Sequence, residues 1–264
     1  MLTAALLATS LLAPAAAQQA CTGAAQVVDE TYRQVLQRAP DPAGAGYVTA
    51  LENGQMSVRD LVGQLARSPE HAERFFWDPL VKAVYQQILH REPSADELKD
   101  ATSRLTGGNL TITDLVAHTA TRAANGEDEA VRILYRRLLG REPDAGGLQS
   151  YTEMARNQGI EAVARSIVSS PEYRSHAGPD GIPAEDFAAY QQAVDTLYRH
   201  VLGRAPDPAG LHDLTAIAAS QGVNAVVDQM INSREYAQMY GVDAVPGHPG
   251  MRLCHGVGTT GFRQ

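Results

Sequence analysis

The sequence has few of the residues from which most metal and nucleic-acid sites are built. Its two cysteines stand at opposite ends of a 264-residue chain, which excludes a cluster of thiolate ligands for a metal. Lysine occurs only at Lys82 and Lys99, and the net charge of −8 argues against a nonspecific nucleic-acid binder, because contacts with phosphates require a basic surface. No apolar run is long and unbroken enough to span a membrane. P-loop, G-x-S-x-G and H-E-x-x-H motifs are also absent, so we predict no catalytic residue, cofactor or metal ligand.

The first 17 residues are predicted to be a secretory signal peptide. This segment is apolar, carries no charged side chain and ends in Ala15-Ala16-Ala17, which resembles an A-x-A cleavage site. The alternative is an apolar first helix of the fold. Cys21 and Cys254 also favour export, because an oxidising compartment allows them to form a disulfide that joins the two ends. The other possibility for these cysteines is two unpaired thiols. We therefore predict a secreted or periplasmic protein.

A recurring string divides most of the chain into four units. Residues 134–148 read LYRRLLGREPDAGGL and residues 197–211 read LYRHVLGRAPDPAGL, which agree at ten of fifteen positions. Weaker copies surround two earlier tyrosines, and every copy has an arginine six residues after its tyrosine. The four pairs are Tyr32–Arg38, Tyr85–Arg91, Tyr135–Arg141 and Tyr198–Arg204. An internal repeat of this kind indicates supersecondary units that bury their apolar faces on one another.

Each unit begins with a predicted helix. In the third unit Val131, Leu134, Tyr135 and Leu138 fall at helical spacing on one face. Gly140 and Gly203 stand where a left-handed residue would end this helix in the last two units. The first two units have Gln37 and His90 at that place, so we expect those two helix ends to be built differently.

Cap residues and glycines predict the helices that follow in each unit. The expected N-caps of the second helix are Asp41, Ser94, Asp144 and Asp207. A break containing glycine then precedes a third helix, and Ser57 and Thr111 begin sequences that resemble capping boxes. A short fourth helix is expected after Ser68, Ser170 and Ser233, and the second unit lacks its signal.

These patterns predict an all-α fold of four helical repeat units packed as two pairs. The first pair is expected at residues 26–126 and the second at residues 127–246. The remaining residues, 247–264, are rich in glycine and are expected to form an irregular C-terminal strap.

The shared tyrosines and arginines have a structural and a functional interpretation. In the structural one, the tyrosines are buried and each arginine bridges the last carbonyls of its helix and an acidic residue of the next helix. In the functional one, the arginines form a row that grips an acidic partner. The aromatic run Phe75-Phe76-Trp77 likewise fills the core between units or forms a docking patch for a partner.

Two stretches resemble a known family. Residues 53–76, NGQMSVRDLVGQLARSPEHAERFF, resemble the first half of a phycobilisome linker domain, and residues 197–203 with 231–246 resemble its second half. The LYR-x-LLGR-x-PD string also resembles a repeat of unassigned function in secreted bacterial proteins. The resemblance spans residues 28–246 and implies an all-helical domain that acts by docking onto other proteins. Typical phycobilisome linkers are basic and one linker domain has fewer than four units, whereas this chain is acidic and has four. These differences favour membership of the secreted repeat over a role in a light-harvesting complex.

We therefore predict a non-catalytic exported scaffold or adaptor whose helical surfaces bind a protein partner or a cell-envelope polymer. One alternative is a carbohydrate- or peptidoglycan-acting enzyme or binding module with a groove between the repeat pairs. A cleft lined by two or more convergent carboxylates would favour that alternative. Another is a pigment-protein linker of a photosynthetic antenna, which predicts copurification with biliproteins.

Overall fold

The computed structural model describes residues 21–176 and 184–254. The predicted signal peptide and residues 255–264 of the predicted tail lie outside this part of the chain. The described residues form helices almost throughout, with one two-stranded sheet, so the all-α prediction is confirmed. Within the described ranges, no helix combines the length and apolar character that crossing a membrane requires.

The helices follow the four repeat units. The first unit contains α1 (Ala24–Leu36), α2 (Gly44–Glu52), α3 (Val58–Ala66) and α4 (Pro69–Ala72). A π-helical turn at Glu73–Trp77 leads into the second unit, which contains α5 (Asp78–Leu89), α6 (Ala95–Thr106) and α7 (Ile112–Ala123). The third unit contains α8 (Glu127–Leu139), α9 (Ala145–Gln158), α10 (Ile160–Val168) and α11 (Pro171–His176). The fourth contains α12 (Ala184–Val201), α13 (Pro208–Gln221), α14 (Val223–Ile231) and α15 (Arg234–Met239), and is followed by β1 (Ala244–Val245) and β2 (His248–Arg252).

All four first helices end at a residue in the left-handed region, whatever its side chain. The φ angle is 66° at Gly140 and 64° at Gly203, and it is 51° at Gln37 and 55° at His90. The expectation that the two ends without glycine are built differently is therefore wrong. A side chain in this region costs about 1–2 kcal/mol. At Gln37, a contact of 2.9 Å between its Nε2 and Nε2 of His200 offsets part of that cost.

Side-chain caps begin three of the four second helices and two of the four third helices, with two differences from expectation. Ser57 caps α3 in a full capping box, whereas at α7 the hydroxyl of Thr111 accepts from the backbone without the reciprocal bond. Asp144 and Asp207 cap α9 and α13 as expected. Asp41 does not cap α2. Its carboxylate instead accepts a hydrogen bond within the turn that precedes that helix.

The fourth helices are present where their serines predicted them. The hydroxyls of Ser68, Ser170 and Ser233 each accept a hydrogen bond from the backbone three residues later. In the second unit, α7 continues through the corresponding positions as far as Ala123, and α8 begins four residues later. The absence of a fourth helix from this unit therefore follows from the missing serine cap.

The buried apolar side chains form two clusters that group the units differently from the predicted pairs. The terminal core joins the first and fourth units, with α1 and α3 against α12 and α14. The central core joins the second and third units, with α7 against α8 and α10 and with α5 packed on α7. Residues 26–126 and 127–246 thus each contribute one unit to each core. The continuous helical run from α4 to α5 passes from one core to the other, with Phe76 in the terminal core and Val81 in the central core.

The described part of the C-terminal tail is a short ribbon rather than the predicted irregular strap. Strands β1 and β2 pair in antiparallel fashion. Thr22 N donates to Arg252 O at 2.7 Å, and Cys254 N donates to Thr22 O at 3.0 Å, so the N-terminal residues extend the ribbon. The predicted disulfide between Cys21 and Cys254 is present beside these bonds, with the two Cα atoms 4.9 Å apart. It fastens the start of the first unit to the end of the fourth.

Reduction of this disulfide is expected to lower the free energy of unfolding by about 3–5 kcal/mol, because the bond closes a very long loop in the unfolded chain. Urea unfolding with and without a reductant measures the change. A Cys21→Ser/Cys254→Ser variant is the control and should unfold like the reduced protein in both conditions. Labelling of both thiols in the native, unreduced protein would contradict the prediction.

Candidate functional site

The left-handed residue that ends each first helix brings the repeat tyrosine and arginine together. On a continuous helix a spacing of six would place the two side chains on different faces. Because the chain reverses direction just before the arginine, the guanidinium carbon lies over the tyrosine ring. Its distance to the ring centroid is 5.2, 5.4, 5.2 and 4.9 Å in units one to four. The tyrosines are buried, at 4–5% exposure, as the structural interpretation expected.

In three units the arginine also holds the glutamate at the start of the fourth helix. The pairs are Arg38–Glu70, Arg141–Glu172 and Arg204–Glu235. In each, Nε lies 2.5 Å from one carboxylate oxygen and Nη2 lies 2.7–2.8 Å from the other. Parallel bonds of this kind fix geometry as well as charge. In the first unit the hydrogen bonds from Arg38 lower the pKa of the Glu70 carboxyl.

The second unit reaches the same arrangement with different residues. Arg91 binds both oxygens of Glu97 at 2.8 Å, and Glu97 belongs to the capping box that starts α6. Arg122, near the end of α7, also pairs with Glu97 and donates to the hydroxyl of Tyr85 at 3.0 Å. The hydrogen bond from Arg91 is the main cause of the lowered pKa of Glu97. In the second unit two arginines therefore bind the same carboxylate, whereas in each of the other units a single repeat arginine binds the glutamate.

The structure identifies which acidic residue each repeat arginine binds, and it differs in part from the prediction. We expected each arginine to bind an acidic residue of the next helix. Arg91 does so through Glu97, Arg204 lies 3.8 Å from Asp207, the N-cap of α13, and Arg38 binds Asp41, just before α2, at 3.1 Å. Three of the arginines also make paired bonds to the glutamate at the start of the fourth helix, which we did not expect: Arg38, Arg141 and Arg204. Each arginine also donates through Nη1 to the carbonyl of the residue that follows it, not to the last helix carbonyls. Because every repeat arginine is already bound to a carboxylate, the geometry does not favour a row of arginines that grips an acidic partner.

Two cavities of the described residues lack a centre for acid–base catalysis. A third, of about 460 Å³, is lined by Glu127, Glu161 and His118, and His118 Nε2 lies 3.0 Å from Glu161. Among the described residues, no aspartate or glutamate lines a cleft of about 880 Å³ between the two cores. A smaller cavity of about 390 Å³ in the second unit is lined by Asp96, Glu97 and Asp100. Glu97 is held ionised by two arginines, and Asp100 lies 3.5 Å from Arg104. A general acid needs a raised carboxyl pKa, whereas the two arginines lower the pKa of Glu97. Within the described residues, no three His, Cys, Asp or Glu side chains lie close enough to hold a metal ion.

The aromatic run Phe75-Phe76-Trp77 is divided between the interior and the junction of the cores. Phe76 is 6% exposed and contributes to the terminal core, and Phe75 packs against the same core. Trp77 is half-buried, contacts both cores and lies against Tyr190 with ring centroids 6.5 Å apart. The core interpretation therefore accounts for Phe75 and Phe76, while a role in binding a partner stays a prediction for Trp77.

A buried pair of histidines joins the first and fourth units beneath these aromatic rings. His71 Nε2 lies 2.9 Å from His200 Nδ1, and the exposures of the two residues are 0% and 5%. Phe75 meets His200 and Phe76 meets His71 edge to face, at centroid distances of 4.7 and 5.1 Å. Burial lowers the pKa of His71 to about 3, with a contribution from His200, and burial lowers the pKa of His200 to about 4. Nδ1 of His71 has no hydrogen-bond partner within the described residues.

Sequence reasoning missed this histidine pair. The two residues are 129 positions apart, and neither belongs to a recognisable ligand motif. Only the packing of the first unit on the fourth brings them together, and no local spacing signals it.

The repeated helices and the internally satisfied arginines describe a helical-repeat protein. The sequence model of the phycobilisome linker polypeptide family matches residues 77–186 and 184–248, which is more than half of the chain. The chain therefore belongs to the phycobilisome linker polypeptide family. Residues 8–75 match a domain of unknown function (DUF4214).

Characterised relatives include linker polypeptides of cyanobacteria. The chain is 27% identical over 147 residues to the phycobilisome 32.1 kDa linker polypeptide, phycocyanin-associated, rod 2, of Synechocystis, covering 52% of this chain and 53% of that protein. It is 26% identical over 121 residues to the phycobiliprotein ApcE of a Nostoc species, covering 41% of this chain and 11% of that protein. The chain thus spans about half the length or less of these relatives. Membership of this family supports a non-catalytic linker or scaffold role.

Arg38→Ala is expected to lower the free energy of unfolding by about 1–2 kcal/mol, because it removes the paired bonds to Glu70 and the contact with Tyr32. A double-mutant cycle with Glu70→Ala should give a coupling energy of about 0.5–1 kcal/mol. Arg33→Ala is the matched control, since its pair with Asp29 is exposed, and should leave stability nearly unchanged. Unchanged unfolding of Arg38→Ala together with loss of partner binding would reverse the structural assignment.

Stability is expected to fall as the pH is lowered from 7 to 5. An unfolded histidine binds a proton near pH 6.5, whereas burial keeps His71 and His200 neutral in the folded protein, so acid favours the unfolded chain. Each buried histidine should contribute about 1.4 kcal/mol of lost stability per pH unit below 6.5. Urea unfolding at pH 7, 6 and 5 measures the slope.

In the variant His71→Gln, which keeps an amide at the position of Nε2, the slope should be roughly half that of the original protein. His118→Gln is the control, because that side chain is 44% exposed. Equal slopes for the original protein and His71→Gln would show that the buried pair does not cause the pH dependence.

Proposed function

We propose that this protein is an exported, non-catalytic linker that joins protein partners through the surfaces of its helical repeats. The observation that carries this proposal is that the tyrosine, arginine and glutamate groups of the four units bind one another. The repeated residues thus hold the helices in place. A partner would therefore bind the remaining surfaces of the helices.

The architecture supports a role in joining partners. The terminal core and the central core are separate apolar clusters, and each draws on two repeat units. The protein therefore presents two bodies, each with its own helical surface. Several relatives carry the name linker polypeptide, and a docking role for this chain is consistent with those names.

Export is supported by the disulfide and by the segment that precedes it. A disulfide that joins the two ends persists in an oxidising compartment and is reduced in most cytosols. Residues 1–17 have the apolar composition and the A-x-A ending of a secretory signal. Together they favour a periplasmic or extracellular location.

The proposal predicts that both bodies contact protein partners outside the cytoplasm. A photo-crosslinking amino acid would replace Gln55 in the first unit or Asn157 in the third, two exposed positions on different bodies. In cells of the source organism, both positions should give protein adducts in the extracytoplasmic fraction. An excess of unlabelled chain should suppress specific adducts, and unilluminated cells provide the blank. Absence of adducts at both positions, or a cytoplasmic chain with labelled thiols, would overturn the proposal.

A second candidate function is a linker in a photosynthetic antenna, which the names of the relatives favour. Under this alternative the adducts should contain biliproteins, and purified phycocyanin should cosediment with the chain. An exported linker with other partners should show neither result.

A further inference from the structure

Two imidazoles are buried where the first unit packs on the fourth. His71, on α4, is 0% exposed, and His200, near the end of α12, is 5% exposed. The facing nitrogens, Nε2 of His71 and Nδ1 of His200, lie 2.9 Å apart. Within the described residues, neither imidazole forms a hydrogen bond with a carboxylate. A positive charge on either ring would therefore be buried without a counterion.

The hydrogen bonds of this pair suit neutral rings and exclude two protonated ones. In the 2.9 Å contact one nitrogen donates and the other accepts, so one of the two facing nitrogens carries no hydrogen. If both rings were protonated, two N–H groups would point at each other across the interface. The other nitrogen of His200 is occupied by Gln37, and Nδ1 of His71 has no partner within the described residues. A proton added to that Nδ1 would have no acceptor, which is costly in a buried position.

The charged side chains on the surrounding elements are directed elsewhere. Arg74, in the π-helical turn, lies over the ring of Phe75 and donates to the carbonyl of Leu36, so it adds positive charge on that side. Glu73 stands two positions after His71 in the same helical run, which places it on a different face. Other charged groups on the surrounding helices are paired with one another: Asp29 with Arg33, Arg38 with Glu70, Arg67 with Asp228 and Arg199 with Asp195.

A surface histidine of the same body responds to acid in the opposite direction. His248, on β2, lies 3.0 Å from Glu30 of α1, and its side chain is 46% exposed. Protonation of His248 turns this contact into an ion pair, which favours the packed structure by a small amount. Acid therefore acts against the terminal core at the buried pair and not at this surface contact.

The central core differs from the terminal core in its buried polar groups and in its path along the chain. Its buried apolar residues come from one stretch, residues 81–173, whereas those of the terminal core come from residues 24–76 and 193–253. The central core can therefore stay packed when the two stretches of the terminal core separate. Among the described residues, no histidine is buried in the central helices, whose buried polar side chains are Thr102, Thr113, Thr119 and Thr152.

We infer that the contact between His71 and His200 makes the packing of the first unit on the fourth sensitive to acid, so that the terminal core opens increasingly below pH 6.5 while the central core stays packed. Opening exposes both rings to water, where each binds a proton. The disulfide between Cys21 and Cys254 keeps the two units close together, so a return to pH 7 closes the core again. The inference does not depend on the proposed linker function.

The size of the effect follows from proton uptake on opening. Burial lowers the pKa of His71 to about 3 and that of His200 to about 4, whereas an exposed histidine titrates near pH 6.5. Between pH 6 and pH 5 both rings are therefore neutral in the packed core and mostly protonated in the opened one. The opening equilibrium should rise about fiftyfold over this interval, somewhat less than tenfold for each histidine.

Amide hydrogen exchange at pH 7, 6 and 5, resolved by mass spectrometry of peptic fragments, measures the opening of each core separately. After correction for the intrinsic exchange rate at each pH, the protection of α1 and α14 should fall about fiftyfold between pH 6 and pH 5. The protection of α8 and α10 in the central core should stay unchanged. An equal loss in both cores, or no loss in α1 and α14, would overturn the inference.

Two variants assign the opening to the histidine pair. His71→Gln should reduce the loss of protection in α1 and α14 to about sevenfold, because one titrating ring remains, and His71→Gln/His200→Gln should abolish it. His212→Gln is the matched control, since it removes a histidine of the fourth unit whose side chain is 44% exposed, and should keep the full loss. A full loss in the double variant would overturn the inference. If a variant does not fold, the comparison of the two cores in the original protein still decides.

Discussion

The left-handed residue at the end of each first helix is the constraint on which the repeat depends. It reverses the chain so that the next residue, an arginine, folds over a tyrosine one and a half turns earlier in the sequence. From that position the guanidinium also reaches a carboxylate on another helix, with two parallel bonds. One backbone angle therefore sets the distance between the first helix and the start of the fourth. That Gln37 and His90 adopt the angle despite its cost shows that the surrounding contacts determine it.

The second unit shows what happens when one component of this arrangement is absent. Without a serine cap, α7 does not stop, and no fourth helix presents a glutamate. Glu97, which already caps α6, accepts Arg91 instead, and Arg122 joins it from the extended α7. The tyrosine–arginine contact is thus preserved while its acidic partner changes helix. All four units therefore share the contact of arginine with tyrosine and with a carboxylate, although the carboxylate comes from a different helix in the second unit.

Local features of the fold were predictable from the sequence, and the contacts between distant units were not. The serine caps, the four repeated first helices and the disulfide each follow from spacing or from the position of a residue type. The pairing of the first unit with the fourth does not, because each amphipathic helix specifies that its apolar face is buried but not against which neighbour. That pairing produces the contact between His71 and His200 and the cleft beside Trp77. Neither feature could therefore be predicted from the sequence.

The junction between the cores is where the helical repeat passes from one apolar cluster to the other. The helical run from α4 to α5 is continuous, and its π-helical turn at Glu73–Trp77 coincides with the passage from one core to the other. A π-helical turn rotates the following residues relative to a regular helix. Phe75 and Phe76 face the histidine pair in the terminal core, while Trp77 turns towards Tyr190 at the open cleft. The same segment that connects the two cores therefore places the rings of Trp77 and Tyr190 at the cleft between them.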